Sequence, residues 1–213
     1  MTIISIKTGT DEEQKRIELS DGSLFSFRLC YLTDFSGARL SGISIDELAG
    51  GVEISAGEAD AFRFAATCLR AERAALRLAA RAEQTMMGLS RKLERRGFNG
   101  SHIQPVLLRL ETLNIINDRR FAALWLQSRL VRRVESPRRL LAGLRSRGIS
   151  REDAEGALKS VLTFQTESAL LRSYIEKSRP APGRSGIVSL KYRLKGEGFS
   201  AEVIQDYWEE QEW

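Results

Sequence analysis

The sequence predicts a mainly α-helical protein: three tandem three-helix repeats in an elongated, curved array, preceded by a small antiparallel β region. Two observations carry most of this. A leucine-leucine-glycine cadence appears in LSRKLERRGFN (Leu89 to Asn99) and returns in LLAGLRSRGIS (Leu140 to Ser150) and LKYRLKGEGFS (Leu190 to Ser200). The hydrophobic period also changes near residue 55, from alternation to the three-and-four spacing of a helix. The expected boundaries are 1–55 for the strand-rich region and 56–116, 117–164 and 165–213 for the three repeats.

In the first region, Thr2 to Lys7 and Lys15 to Leu19 alternate, Ser20-Asp-Gly-Ser23 is a turn signal, and Ser23 to Leu29 alternates again. Two or three short antiparallel strands fit this pattern. Ser44-Ile-Asp-Glu-Leu48 reads as a brief helix with Ser44 and Glu47 as a capping box, stopped at Gly50-Gly51. Glu58 to about Ala82 is one long alanine-rich helix with Phe62, Ala65, Leu69, Leu76 and Ala79 near one face.

The three cadences align at offsets of 51 and 50 residues: Leu89, Leu140 and Leu190; Leu93, Leu144 and Leu194; Gly97, Gly148 and Gly198; Phe98, Ile149 and Phe199. This is an internal repeat. Leucines four apart share a helix face, and the glycine ends the helix in a left-handed conformation. The apolar residue after it returns to the core. Asn99, Ser150 or Ser200 then caps the next helix, with Asp153 completing a capping box after Ser150. The third helices repeat their apolar spacing at Ile103, Val106, Leu107 and Leu110; at Ala154, Ala157, Leu158 and Val161; and at Ile204, Tyr207 and Trp208. Each unit opens with a preceding helix: the end of the alanine-rich stretch, then Asp118 to Val134 with Asp118 as its N-cap, then Thr166 to about Arg179. Pro180 to Gly186 is a linker. Stacked short units touch only their neighbours and suit binding along extended objects.

Composition excludes several function classes. No apolar run approaches the ~20 residues of a membrane span, and the acidic N-terminus is not a secretory signal, so a cytoplasmic protein is expected. Cys30 and Cys68 are the only cysteines and read as reduced, buried thiols. His102 is the only histidine, which leaves neither a zinc ligand set nor a convincing catalytic triad. No phosphate-binding glycine motif occurs. The chain is expected to be no enzyme and to carry neither cofactor nor metal.

The net charge of +5 is uneven. Residues 89–150 carry a net +10, against −3 before and −2 after. A basic segment between acidic flanks points to an anionic partner. The candidate partner- or DNA-binding residues are Arg91, Lys92, Arg95 and Arg96, which lie off the Leu89/Leu93 face, and Arg132, Arg133, Arg138, Arg139, Arg145 and Arg147 around the next helix junction. The guanidinium fork suits carboxylate and phosphate alike.

The three cadences, the block Leu113-Asn-Ile-Ile-Asn-Asp118-Arg-Arg-Phe-Ala122-Ala-Leu-Trp125 and the stretch Ser136-Pro-Arg-Arg-Leu140 to Ile149-Ser together resemble the RecX family, bacterial regulators of the RecA recombinase, over about residues 60–213. The strand-rich head is similar to the N-terminal extension of longer members. Two positions depart from the family's pattern: Glu83-Gln-Thr-Met stands where Arg-Ser precedes the second helix, and Gly196-Glu197 stands where a basic residue precedes the glycine. The resemblance implies a monomeric, non-enzymatic modulator of DNA repair, homologous recombination and the SOS response. It would bind along the groove of the RecA filament on single-stranded DNA and suppress ATPase and strand exchange. Weak binding to DNA would accompany binding to RecA. Two other readings stay open on the residues alone: a stand-alone DNA-binding helical module, and a helical-repeat scaffold for another acidic protein.

Overall fold

The computed structural model describes residues 1–9, 12–32, 51–178 and 184–210. Among them are three strands and nine α-helices, which form two compact units: residues 1–83 with 89–116, and residues 84–88 with 117–213. The short helix expected at Ser44 to Leu48 lies outside the described residues, as does Pro180 to Gly183 of the expected linker. Arg184 to Gly186, also expected as linker, already belong to a helix.

In the first unit, β1 (Ile3–Thr8), β2 (Gln14–Leu19) and β3 (Leu24–Arg28) form an antiparallel meander in sequence order, with Ile17 opposite both Ile6 and Phe25. The turn into β3 is closed by Asp21, whose carboxylate accepts the Ser23 amide at 2.9 Å. Alternation sends Ile3, Ile17, Leu19 and Phe27 inward. Phe27 packs at a tilt against Phe62 of α1 (Ala56–Ala79), with ring centroids 5.1 Å apart. Ser55 and Glu58 form a reciprocal capping box at the start of α1. Its buried face is mostly alanine, which lets β3 and α3 (Gly100–Thr112) approach its backbone closely.

One charged residue sits inside this apolar packing. Glu72 of α1 is 3% exposed. It accepts the Tyr31 hydroxyl at 2.8 Å and Arg28 Nε at 3.2 Å. Glu13 in turn takes Arg28 at 3.1 Å and Arg109 of α3 at 2.6 Å. A buried carboxylate is tolerated only with such partners, and this network ties the sheet to α1 and α3. Burial and the Glu72 carboxylate push the Tyr31 phenol well above its ordinary value.

The helix α2 (Met86–Glu94) passes from one unit to the other: its first residues pack with the second, Leu89 and Leu93 with the first. The second unit continues with α4 (Asp118–Arg132), α5 (Pro137–Arg145), α6 (Arg151–Val161), α7 (Phe164–Ser178), α8 (Arg184–Gly196) and α9 (Ala201–Glu209). One core joins Leu126, Leu140, Leu144, Ile149, Leu171, Leu194 and Phe199. The repeat columns therefore carry the packing. Gly97, Gly148 and Gly198 all hold left-handed φ, at 85°, 87° and 87°.

Asp118 is not the N-cap of α4; Asn117 is, its side chain accepting the Arg120 amide at 2.9 Å. Asp118 is the first helical residue, and its carboxylate accepts the Met86 amide at 2.9 Å, serving the start of α2. Asn99 precedes α3 without a side-chain cap bond, whereas the Ser150 and Ser200 hydroxyls cap α6 and α9. The expected capping box at Ser150 is not completed: the Asp153 carboxylate accepts the Ser150 hydroxyl at 2.8 Å rather than the Ser150 amide.

Candidate partner-binding surface

The second unit contains a contact that occurs twice. Thr85 accepts the Gly88 amide at the start of α2 and donates its hydroxyl to the Arg147 carbonyl at 3.0 Å. Met87 lies against Gly148 so closely that a Cβ there would sit 2.4 Å from Met87 Cε. One repeat later, Ser136 caps α5 and donates to the Glu197 carboxylate, while the Arg138 amide donates to the Glu197 carbonyl at 2.9 Å. Pro137 then lies against Gly198. In both cases the first turn of a middle helix seats on the glycine turn of the following repeat. Thr85 and Glu197 are among the positions that depart from the family's sequence pattern, and both make these contacts.

The first unit holds Arg91, Lys92, Arg95 and Arg96 at the end of α2 and in the turn after it. Arg91, Arg95 and Arg96 are exposed and Lys92 is half-buried. Cations suit a helix C-terminus, so this placement is also what a stable helix wants. The second unit holds the other six. Arg132 ends α4 and Arg133 is its C-cap, Arg138 and Arg139 open α5, and only residues 133–136 lie between the two helices. All four are exposed. Arg145, also exposed, and Arg147 stand at the far end of α5, a nine-residue helix about 13 Å long.

Charge separates these groups into those with a structural task and those without. Arg147 donates to the Gly143 carbonyl at 2.7 Å and lies 4.7 Å from the centroid of Trp125, and Arg129 lies 5.5 Å from the same centroid. The ring itself sits where a Cβ on Gly143 would be, 2.6 Å away. Arg147 is thus a packing residue of the α4–α5 contact as well as a charge. Arg129 is neutralised by Glu135 through paired bonds of 2.7 and 3.0 Å. Arg119 binds Asp153, and hydrogen bonding from Arg119 and Ser150 holds that carboxyl below its usual range.

Arg132, Arg133, Arg139 and Arg145 have no carboxylate in ion-pair range among the described residues. The first turn of α5 contains no acid at all. Two arginines at the positive end of a helix dipole work against the helix, by roughly 0.3–1 kcal/mol each at exposed sites. The helix dipole does not account for Arg138 and Arg139, although Arg138 also reaches the Gly196 carbonyl at 3.5 Å.

Three basic residues outside the expected set join the first group. Arg70, Arg73 and Arg77 of α1 line an open groove of about 340 Å³ with Ala74, Arg96 and Phe98. Their i, i+3, i+7 spacing is legible in the sequence, but the net acidity of residues 1–88 hides it. No group of three His, Cys, Asp or Glu among the described residues could hold a metal. His102 stacks on Phe64 at 4.8 Å, and burial lowers its pKa. Burial pushes the Cys68 thiol up to about 12 and the Cys30 thiol above its ordinary value, which keeps both protonated and unreactive. No described helix is long and apolar enough to cross a membrane.

The family model for the second three-helix domain of RecX matches residues 117–158, the segment that contains α4, α5 and the exposed arginines between them. Regulatory protein RecX of Treponema pallidum (strain Nichols) is 40% identical over 116 residues, 54% of this chain and 71% of that protein. Regulatory protein RecX of Halorhodospira halophila is 33% identical over 138 residues, 62% of this chain and 82% of that protein. A crystal structure of regulatory protein RecX superposes with a TM-score of 0.64 at 21% identity, covering 96% of this chain and 98% of the other. RecX from Lactobacillus salivarius gives 0.55 at 20% identity, over 68% and 96%. These two show the same fold, head included in the first case. With relatives of this identity covered over most of their length, the chain belongs to the RecX family of regulatory proteins.

Proposed function

We propose that this protein regulates a RecA recombinase by binding along the groove of its filament on single-stranded DNA, lowering ATPase and strand exchange without catalysing a reaction itself. It acts as a cytoplasmic monomer. The observation that carries this reading is the α4–α5 junction: four exposed arginines on two rigid helix ends, two of them placed against their own helix dipole. A surface kept at a cost to the helix is explained by a partner, and a RecA filament offers both carboxylates and phosphates. Family membership supplies the name of that partner.

Binding of the protein to a RecA filament on single-stranded DNA, and to the bare DNA, tests the proposal across a salt series. Filament binding should persist at 150 mM salt while binding to free DNA fades, because counterion release makes the latter steeply salt-dependent. Arg138→Glu with Arg139→Glu should weaken filament binding most at low salt, where exposed charges are least screened. A folded double variant that binds the filament like the parent at 50 mM salt removes this junction from the interface and leaves Arg91, Lys92, Arg95 and Arg96 to carry it.

A further inference from the structure

The same seat occurs a third time, at Gly97, where no described residue fills it. At Gly148 and Gly198 the glycine is covered by the first turn of a helix, and the carbonyl before it accepts a bond from that turn. Gly97 has the same left-handed backbone, yet nothing among the described residues lies within 4 Å of where its Cβ would be. The Arg96 carbonyl accepts no bond from a described residue. Phe98 is half-buried, whereas its counterparts Ile149 and Phe199 are both 4% exposed. Backbone, carbonyl and aromatic plug are all in place, and no turn among the described residues covers them.

The side chains around this seat say what would fill it. In the occupied seat at Gly198, the residue before the glycine is Glu197 and the seated turn carries Arg138 and Arg139: the charges are opposite. Around Gly97 the signs are reversed. Arg96 occupies the Glu197 position, and Arg70, Arg73 and Arg77 of α1 line the groove beside it. None of these four has a carboxylate in ion-pair range among the described residues. Acids are the residues helices favour in their first turn, so the two requirements coincide.

We infer that the Gly97 turn is a docking seat for the acidic first turn of a helix in another protein: a hydroxyl or carboxylate N-cap, an apolar or proline residue to cover Gly97 and Phe98, then one or two carboxylates to meet the arginines. A second copy of this chain fits poorly. The helix α8, which is the middle helix of the last repeat, has no acid in its first turn to meet the arginines. An extended nucleic-acid strand would use the arginines but not the seat's open carbonyl. The inference does not depend on RecA being the partner.

The probe is a helical peptide opening Ser-Pro-Glu-Glu-Leu-Leu, the α5 opening with glutamate in place of its two arginines, held helical by a side-chain lactam on the opposite face. Its parent opening Ser-Pro-Arg-Arg-Leu-Leu serves as control. Binding to the full-length protein is read by fluorescence anisotropy, with the Gly97, Phe98 and Arg96 amide shifts followed by NMR. The acidic peptide should bind saturably and shift those amides, the basic peptide should not, and Arg73→Glu with Arg77→Glu should weaken binding at least tenfold. Arg70→Gln with Arg96→Gln, which cannot repel the peptide, should weaken it severalfold, and circular dichroism should show both variants folded. No binding of the acidic peptide at 1 mM overturns the inference. So does equal binding of both peptides, or binding of a 15-nucleotide oligo-dT, but not of the peptide, through the same arginines. Concentration-dependent self-association abolished by Arg73→Glu would assign the seat to a second copy and also overturn it.

Discussion

Substituting alanine at Gly148 and at Gly97 separates two contributions that usually arrive together. Both glycines hold nearly the same left-handed φ, 87° and 85°. An L-residue in that conformation costs roughly 1–2 kcal/mol, and this strain should be common to both variants. The surroundings differ. The new Cβ at Gly148 would lie 2.4 Å from Met87 Cε and 2.6 Å from Met87 Cβ; at Gly97 it would meet nothing within 4 Å. The Cε end of a methionine can swing away, but the Cβ can move only with the first turn of α2, which Thr85 and Asp118 hold by hydrogen bonds. Overpacking of this kind adds about 1–3 kcal/mol. Gly97→Ala should therefore cost about 1–2 kcal/mol and Gly148→Ala about 2–5 kcal/mol. Urea unfolding followed by circular dichroism reads both, with the m-value confirming the same transition. Equal losses for the two variants would refute the seated contact at Gly148, and no loss for either would refute the left-handed turns.

Removing the buried carboxylate with Glu72→Ala leaves Arg28 and Tyr31 without their partner; about 3–5 kcal/mol of stability should be lost from the first unit, measured by thermal unfolding, and an unchanged midpoint would remove the network from the fold's support. The raised Tyr31 phenol pKa favours the folded state below the ordinary phenol value of about 10, and that stability should fall as pH rises above it, because the unfolded chain then loses a proton the folded one keeps. Between pH 10 and 12 the parent should lose about 1.4 kcal/mol more per pH unit than Tyr31→Phe, and parallel profiles would contradict this. Reversing Arg138 and Arg139 to glutamate should leave unfolding free energy within about 1 kcal/mol, since acids suit the first turn of α5 while Glu197 stands nearby; a molten variant would show that these side chains hold the core.

Much of the fold was readable because the informative residues act locally. The leucine pair, the left-handed glycine and the serine cap each specify their own turn, and three copies in register fix the helix order without any long-range information. What escaped the sequence was long-range. Asp118 looks like a cap for its own helix because it stands at the right place, but Asn117 is one residue earlier and the Asp118 carboxylate reaches α2, 32 residues away. Glu72 is one more charge in an alanine-rich helix until Tyr31 and Arg28 are seen to close over it. The basic surface was legible where charge is concentrated in sequence, as at Arg132 to Arg139. It was invisible at Arg70, Arg73 and Arg77, whose acidic neighbours cancel them on paper but point elsewhere in space. Arg147 shows the converse: in the sequence it reads as one more surface charge, and in the structure its guanidinium lies 4.7 Å from the Trp125 ring centroid.

The DNA-dependent ATPase of the cognate RecA, measured on single-stranded DNA with increasing amounts of this protein, tests the central proposal most directly. The account predicts a lowered rate at sub-stoichiometric protein, with Arg138→Glu/Arg139→Glu requiring a clearly higher concentration for the same effect. A rate unchanged at several-fold excess over RecA, with the protein folded, would contradict it.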